Sequence, residues 1–114
     1  MADRLTLNVS NDGPVANLDL HGEIDLASVD MLTEQVFRCL DVDAVRQVFI
    51  DVQDVTFIDS YGIGGLIRCK NKSVEAGKAL QVVGTHGWIA NTFDVAGVSH
   101  YLARPGSWDE TSAA

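Results

Sequence analysis

The run Val48-Phe49-Ile50-Asp51-Val52 constrains this chain most. It is short, nearly continuous in apolar character and rich in β-branched side chains. Such a run reads as a strand covered on both faces, hence central in a sheet. After a short polar turn, Val55 to Ile58 continues the apolar character. Leu80 to Val83 reads as a further buried strand.

Between these strands the apolar residues switch to helical spacing. Val29, Leu32, Val36 and Leu40 give one buried face to a helix ending near Leu40. Ser28 serves as its N-cap with Asp30 in the first turn, or the helix starts near Asp25. Ile63, Leu66, Ile67 and Val74 form the core face of a second helix, whose Arg68, Lys70, Asn71 and Lys72 fall mostly on the solvated side. Gly77 terminates it. A third helix runs from Thr85 to Ala96, with Trp88 or Ile89, Phe93 and Ala96 at roughly helical spacing and Gly97 closing it. His100-Tyr101-Leu102 reads as a last short strand, and Ser107 to Glu110 has capping-box spacing.

Ahead of the central strand the period is two. Leu5, Leu7 and Val9 alternate with polar residues, Asn11-Asp12-Gly13-Pro14 signals a turn, and Val15 to Leu20 alternates again. The pair predicts an antiparallel hairpin, followed by a polar connection over His21-Gly22-Glu23-Ile24-Asp25. Strands alternating with helices imply parallel pairing through right-handed crossovers. The expected fold is α/β: a single domain over residues 1–114, with a mixed, mainly parallel sheet of four to five strands, the N-terminal antiparallel hairpin, and three to four helices.

Charge narrows the function. With 8 Lys+Arg against 16 Asp+Glu the formal net charge is −8, which disfavours direct nucleic-acid binding and attachment to anionic membranes. A protein partner with basic groups at its contact face suits this charge better. No apolar run approaches the ~20 residues of a membrane span, and no secretory signal follows Met1-Ala2-Asp3-Arg4. Cys39 and Cys69 form no C-x-x-C pair and, with His21, His86 and His100, make no zinc signature. They read as reduced thiols of a cytoplasmic protein with no metal or cofactor.

The chemistry-bearing segment is Phe57-Ile58-Asp59-Ser60-Tyr61-Gly62-Ile63-Gly64-Gly65-Leu66-Ile67. It places Ser60 at or beside a helix N-terminus, where a phosphate meets unpaired N–H groups and a favourable dipole. Gly62 and Gly64 leave room for close approach by another backbone, and Gly65 adds a third weak helix position. Glu23 and Asp25 lie on an earlier strand-to-helix connection, which a parallel layout gathers at the same sheet end. The alternative is an ordinary N-cap serine with glycines that only tighten helix packing. Enzyme signatures fail: Ile67 breaks G-x-G-x-x-G, Gly77-Lys78-Ala79 is no P-loop, and Ile58 stands where a nucleophile elbow needs glycine.

Phe57-Ile58-Asp59-Ser60-Tyr61-Gly62-Ile63-Gly64, with Leu20-His21-Gly22-Glu23-Ile24-Asp25, resembles the signatures of the anti-sigma factor antagonists of the STAS domain family. The resemblance covers nearly the whole chain. It implies partner switching: the unphosphorylated chain binds an anti-sigma factor with serine kinase activity and frees a sigma factor, phosphorylation of Ser60 releases it, and a PP2C-type phosphatase restores it. It makes this chain a phosphoacceptor and not an enzyme. It also implies that Asp25 and Asp59 flank the acceptor, and that Glu23, Tyr61, Gly62, Ile63 and Gly64 belong to the docking face. Tyr61 departs from the small hydroxyl residue usual after the acceptor. The alternative within the family is a non-switching scaffold, or a cytoplasmic subunit of a sensory assembly or membrane transporter.

Overall fold

A computed structural model describes residues 4–103. The capping-box segment Ser107 to Glu110 lies outside the described residues. The elements run β1 (Thr6–Asp12), β2 (Val15–Ile24), α1 (Val29–Leu40), β3 (Gln47–Ile58), α2 (Ser60–Glu75), β4 (Ala79–Val83), α3 (Gly87–Ala96) and α4 (Ser99–Ala103). The sheet order is β1-β2-β3-β4, antiparallel between β1 and β2 and parallel across the other two pairs. The expected hairpin and mainly parallel sheet are both present.

The strand order also says where the helices go. Each parallel crossover steps one strand in the same direction, so connections of one hand place α1 and α2 on the same face. Ala16, Leu18, Leu20, Val48, Ile50, Leu80 and Val82 line that face and are buried. They share one core with Leu32 and Val36 of α1, Leu66 of α2, Ile89 and Phe93 of α3, and Leu102 of α4. The opposite face carries Asn17, Asp19, Phe49, Asp51 and Gln81, none of them buried. The central strand is therefore covered on one face by the described residues, not on both.

Two strands are longer than their apolar patterns suggest. His21 to Ile24 is not a connection but the end of β2, with Gly22 and Ile24 buried and His21 exposed. The polar turn expected after Val52 is likewise inside β3. Between Asp19↔Asp51 and His21↔Asp54, β3 advances one residue more than β2, and it does so again between Gly22↔Val55 and Glu23↔Phe57. Each extra residue is a bulge that flips the inward parity. That is why the buried series is Val48, Ile50, Val52 and then Val55, Ile58.

Helix α2 departs from the expected core face. Its buried stripe is Gly62, Gly65, Leu66, Cys69, Lys70 and Ser73, while Val74 is 44% exposed. Small residues let α2 approach α1 closely. Lys70, expected in solvent, is 2% exposed, and its Nζ donates to Leu80 O of β4 at 2.6 Å. The ammonium also stands 5.8 Å from the Tyr101 ring. His100-Tyr101-Leu102 is helical, part of α4, and not a strand. Gly77 and Gly97 both have positive φ just past α2 and α3, as the terminator reading required.

Both cysteines are free. Burial pushes the Cys69 thiol up to about 12 against a smaller opposing effect of the Arg68 charge, and burial also raises Cys39. Since the thiolate is the reactive form, iodoacetamide at neutral pH should label Cys39 slowly and leave Cys69 unlabelled until the chain is denatured. Peptide mass mapping checks this. Native labelling of Cys69 at the rate of an unfolded thiol would contradict the packing of α2 described above.

Candidate functional site

β2 and β3 end side by side at the paired residues Ile24 and Ile58. Asp25 and Asp59 follow directly on the two neighbouring strands. The backbone joins them, since Asp59 N donates to Ile24 O at 3.2 Å. The expected proximity of the Glu23–Asp25 connection to the Asp59-Ser60 junction is thus realised.

Asp59, not Ser60, caps α2. Its Oδ1 accepts from Gly62 N at 2.9 Å, and its carbonyl accepts from Ile63 N at 3.0 Å. An aspartate in extended conformation with this bond is a strong N-cap. Ser60 is consequently the first helical residue. Its side chain is exposed, and among the described residues its Oγ has no hydrogen-bond partner. This disposes of the ordinary N-cap reading, because the capping work is done next door.

The preceding loop is held by its own side chains. Asp25 Oδ1 accepts from Ala27 N at 3.0 Å and Ser28 N at 3.2 Å. Ser28 occupies the N-cap position of α1 but makes no side-chain cap bond. Its Oγ turns back instead, accepting from Asp25 N at 3.0 Å and donating to Glu23 O at 2.9 Å.

The three glycines separate by role. A Cβ on Gly62 would lie 2.5 Å from Ile24 O and 2.7 Å from Ile58 Cγ1. One on Gly65 would lie 2.1 Å from Val29 Cγ2 of α1. Both are buried and face inward, so Gly62 is corrected from docking contact to internal packing residue. Gly64 has only the Arg68 side chain nearby, at 3.7 Å. Tyr61 is 55% exposed and Ile63 half-buried, so both remain on the accessible side.

Two hollows flank the junction. One, of about 380 Å³, is lined by Ile58, Asp59, Ser60 and Ile63 together with Asn91, Thr92, Val95 and Ala96 of α3. The other, of about 440 Å³, lies toward α1 and is lined by Glu23, Asp25, Ser28 and Met31 with Arg4, Leu5 and Ala27. Ser60 opens onto the smaller one. The contribution of α3 was not anticipated from sequence. Its signal was Val95, an aliphatic residue off the core stripe that proves 81% exposed.

Of the ten large apolar side chains exposed among the described residues, Leu26, Met31, Phe57, Tyr61, Trp88 and Val95 sit at this sheet end or line its hollows. Phe57 and Trp88 stack with ring centroids 5.8 Å apart. Exposed apolar side chains gathered in this way are the kind of feature from which contact surfaces are built. Among the described residues, no group of three or more His, Cys, Asp or Glu is placed to hold a metal ion, and no helix is long and apolar enough to cross a membrane.

The fold agrees with comparisons to known proteins. The STAS domain family model matches residues 6–112, and the chain belongs to that family. It is similar to the anti-sigma-B factor antagonist of Staphylococcus aureus, with 22% identity over 98 residues covering 86% of this chain and 90% of the relative. In structure it is similar to an anti-sigma factor antagonist from Mycobacterium paratuberculosis, with TM-score 0.76 and 21% identity over 96% of this chain and 92% of that one. It also matches the Bacillus cell fate determinant SpoIIAA in its phosphorylated form, with TM-score 0.68 and 14% identity over 95% and 97% of the two chains.

Proposed function

We propose that this protein is an anti-sigma factor antagonist that works by partner switching, with Ser60 as the phosphoacceptor. The unphosphorylated chain docks its Ser60 end on an anti-sigma factor that is also a serine kinase. Docking frees a sigma factor, phosphorylation of Ser60 ends the complex, and a PP2C-type phosphatase resets the chain in the cytoplasm. The observation that carries this reading is the exposed Ser60 hydroxyl, which has no hydrogen-bond partner among the described residues while Asp59 caps the helix. The relatives named as anti-sigma factor antagonists support the same role.

The local electrostatics favour release. A phosphate at Ser60 adds about −1.5 to −2 charges at neutral pH. One helix-terminal donor, Gly62 N, is already bonded to the Asp59 carboxylate. The new charge therefore adds to an existing one and projects onto the docking face, where it repels an acidic or desolvated partner surface. No large rearrangement of the fold is needed. Asp25 and Asp59 set the acceptor's surroundings, and Glu23, Tyr61, Ile63 and Gly64 contribute the docking contacts.

Tyr61 is the observation that favours the second reading, a non-switching scaffold or transporter-associated subunit, because its bulk stands directly beside the acceptor. Intact mass with phosphosite mapping on the chain from its native cells separates the two. A single phosphate on Ser60, abolished by Ser60→Ala, is the expected result. An unmodified chain under several growth and stress conditions would transfer the assignment to the scaffold.

A further inference from the structure

We infer that Ser28, far from the acceptor in sequence, is a positioning residue for Ser60. The inference rests on the partner-switching reading for its functional consequence but on geometry for its mechanism. Ser28 is 9% exposed, and its Oγ bonds both ends of the tripeptide Glu23-Ile24-Asp25, donating to Glu23 O and accepting from Asp25 N. The middle residue of that tripeptide presents Ile24 O to Asp59 N at 3.2 Å. The same carbonyl is the atom that a Cβ on Gly62 would meet at 2.5 Å. Asp59 in turn caps α2 through Gly62 N.

These contacts form one continuous chain: the Ser28 hydroxyl fixes the tripeptide, Ile24 O fixes Asp59 N, and the Asp59 carboxylate fixes the first turn that begins with Ser60. A hydroxyl on α1's threshold thereby sets where the acceptor hydroxyl stands. The same bonds hold Glu23 and Asp25 in place, so the two sides of the docking face share one clamp. The clamp acts at the end of β2, just past Gly22, whose φ is +102°, and beside the register shift between Gly22 and Glu23. Phosphoryl transfer depends steeply on acceptor placement, and a displacement near 1 Å can cost about a hundredfold in rate. A clamp acting at one remove is expected to cost less.

The test compares wild type, Ser28→Ala and Ser28→Thr in two assays. Amide hydrogen exchange needs no partner. In Ser28→Ala the Asp59 and Gly62 amides should exchange about tenfold faster, while the Val48 and Ile50 amides of the core stay within about twofold of wild type. Ser28→Thr, which keeps the hydroxyl, should restore protection. The second assay measures phosphorylation of Ser60 by the chain's kinase with ATP and Mg²⁺, where kcat should fall about tenfold with KM changed less than about threefold. Equal protection of Asp59 and Gly62 in Ser28→Ala, or an unchanged kcat, overturns the inference. A fall in global stability with no selective change at Asp59 and Gly62 also overturns it, since that is what a merely structural serine gives. Should Ser28→Ala fail to fold, Asp25→Ala removes the Oδ1 contacts of the same loop and carries the same selective expectation. If no kinase phosphorylates wild-type Ser60, the partner-switching reading fails while the exchange result still decides the clamp.

Discussion

Gly62→Ala is expected to lower the free energy of unfolding by about 3 kcal/mol, near the upper end of overpacking substitutions. Alanine would ordinarily gain about 1 kcal/mol over glycine inside a helix. Here its methyl has nowhere to go. It meets a backbone carbonyl, Ile24 O, at 2.5 Å and two Ile side chains within 3.0 Å. A carbonyl cannot rotate away as a side chain can, and this one is engaged with Asp59 N. Either α2 lifts from the sheet or the Ile24–Asp59 bond breaks, and both outcomes disturb the acceptor. Gly64→Ala is the matched control. It faces open space apart from Arg68, so it should stabilise the fold by about 0.5–1 kcal/mol. Urea unfolding of the two variants checks both signs at once. A Gly62→Ala chain as stable as wild type would mean that α2 does not seat on Ile24 as described.

The same two glycines show what could be read from sequence. The cluster Gly62, Gly64, Gly65 announces that helix propensity is sacrificed, but not why. Only the orientation of each Cα separates packing from accessibility, and orientation depends on where the helix starts. The large elements were legible because their periods are clean, as in Val29, Leu32, Val36 and Leu40 of α1. The ends of β2 and β3 were not, because two bulges break the period and polar residues such as His21 and Gln53 occupy the exposed positions. The inner face of α2 was misread for a different reason. Its stripe uses glycine, cysteine, lysine and serine in place of large aliphatics, and Lys70 is tolerated inside because a carbonyl of β4 receives its ammonium.

The site was legible in part. The Asp59-Ser60 pair at a strand-to-helix junction was visible, as was its neighbourhood with Asp25. The division of labour was not, since either residue can cap a helix. Aspartate takes the role here, with its carboxylate on Gly62 N, and frees the serine. Ser28 was read as a cap, and instead it bonds backward to the loop. Both cases turn on hydrogen-bond geometry that composition and spacing leave open.

Ser60→Asp should weaken binding to the anti-sigma factor by at least about tenfold, which corresponds to about 1.4 kcal/mol. Ser60→Ala should stay within about threefold of wild type. Folding and docking respond differently to the added charge. In the free chain a carboxylate in the first turn of α2 meets a favourable dipole, worth about 0.3–1 kcal/mol, set against repulsion from Asp59. The melting midpoint should therefore stay near wild type. In the complex the same charge stands at a hollow lined by the apolar Ile58, Ile63, Val95 and Ala96, where desolvating an unpaired carboxylate is costly. Like-charge contact with an acidic partner group adds to that penalty. Stability unchanged and binding weakened is a combination that misfolding cannot produce. Calorimetric titration of both variants, beside their thermal unfolding, reads it directly. Tight binding by Ser60→Asp would show that charge at this position does not drive release. The exposed Tyr61 would then be the residue to examine as the anchor of a constitutive interface.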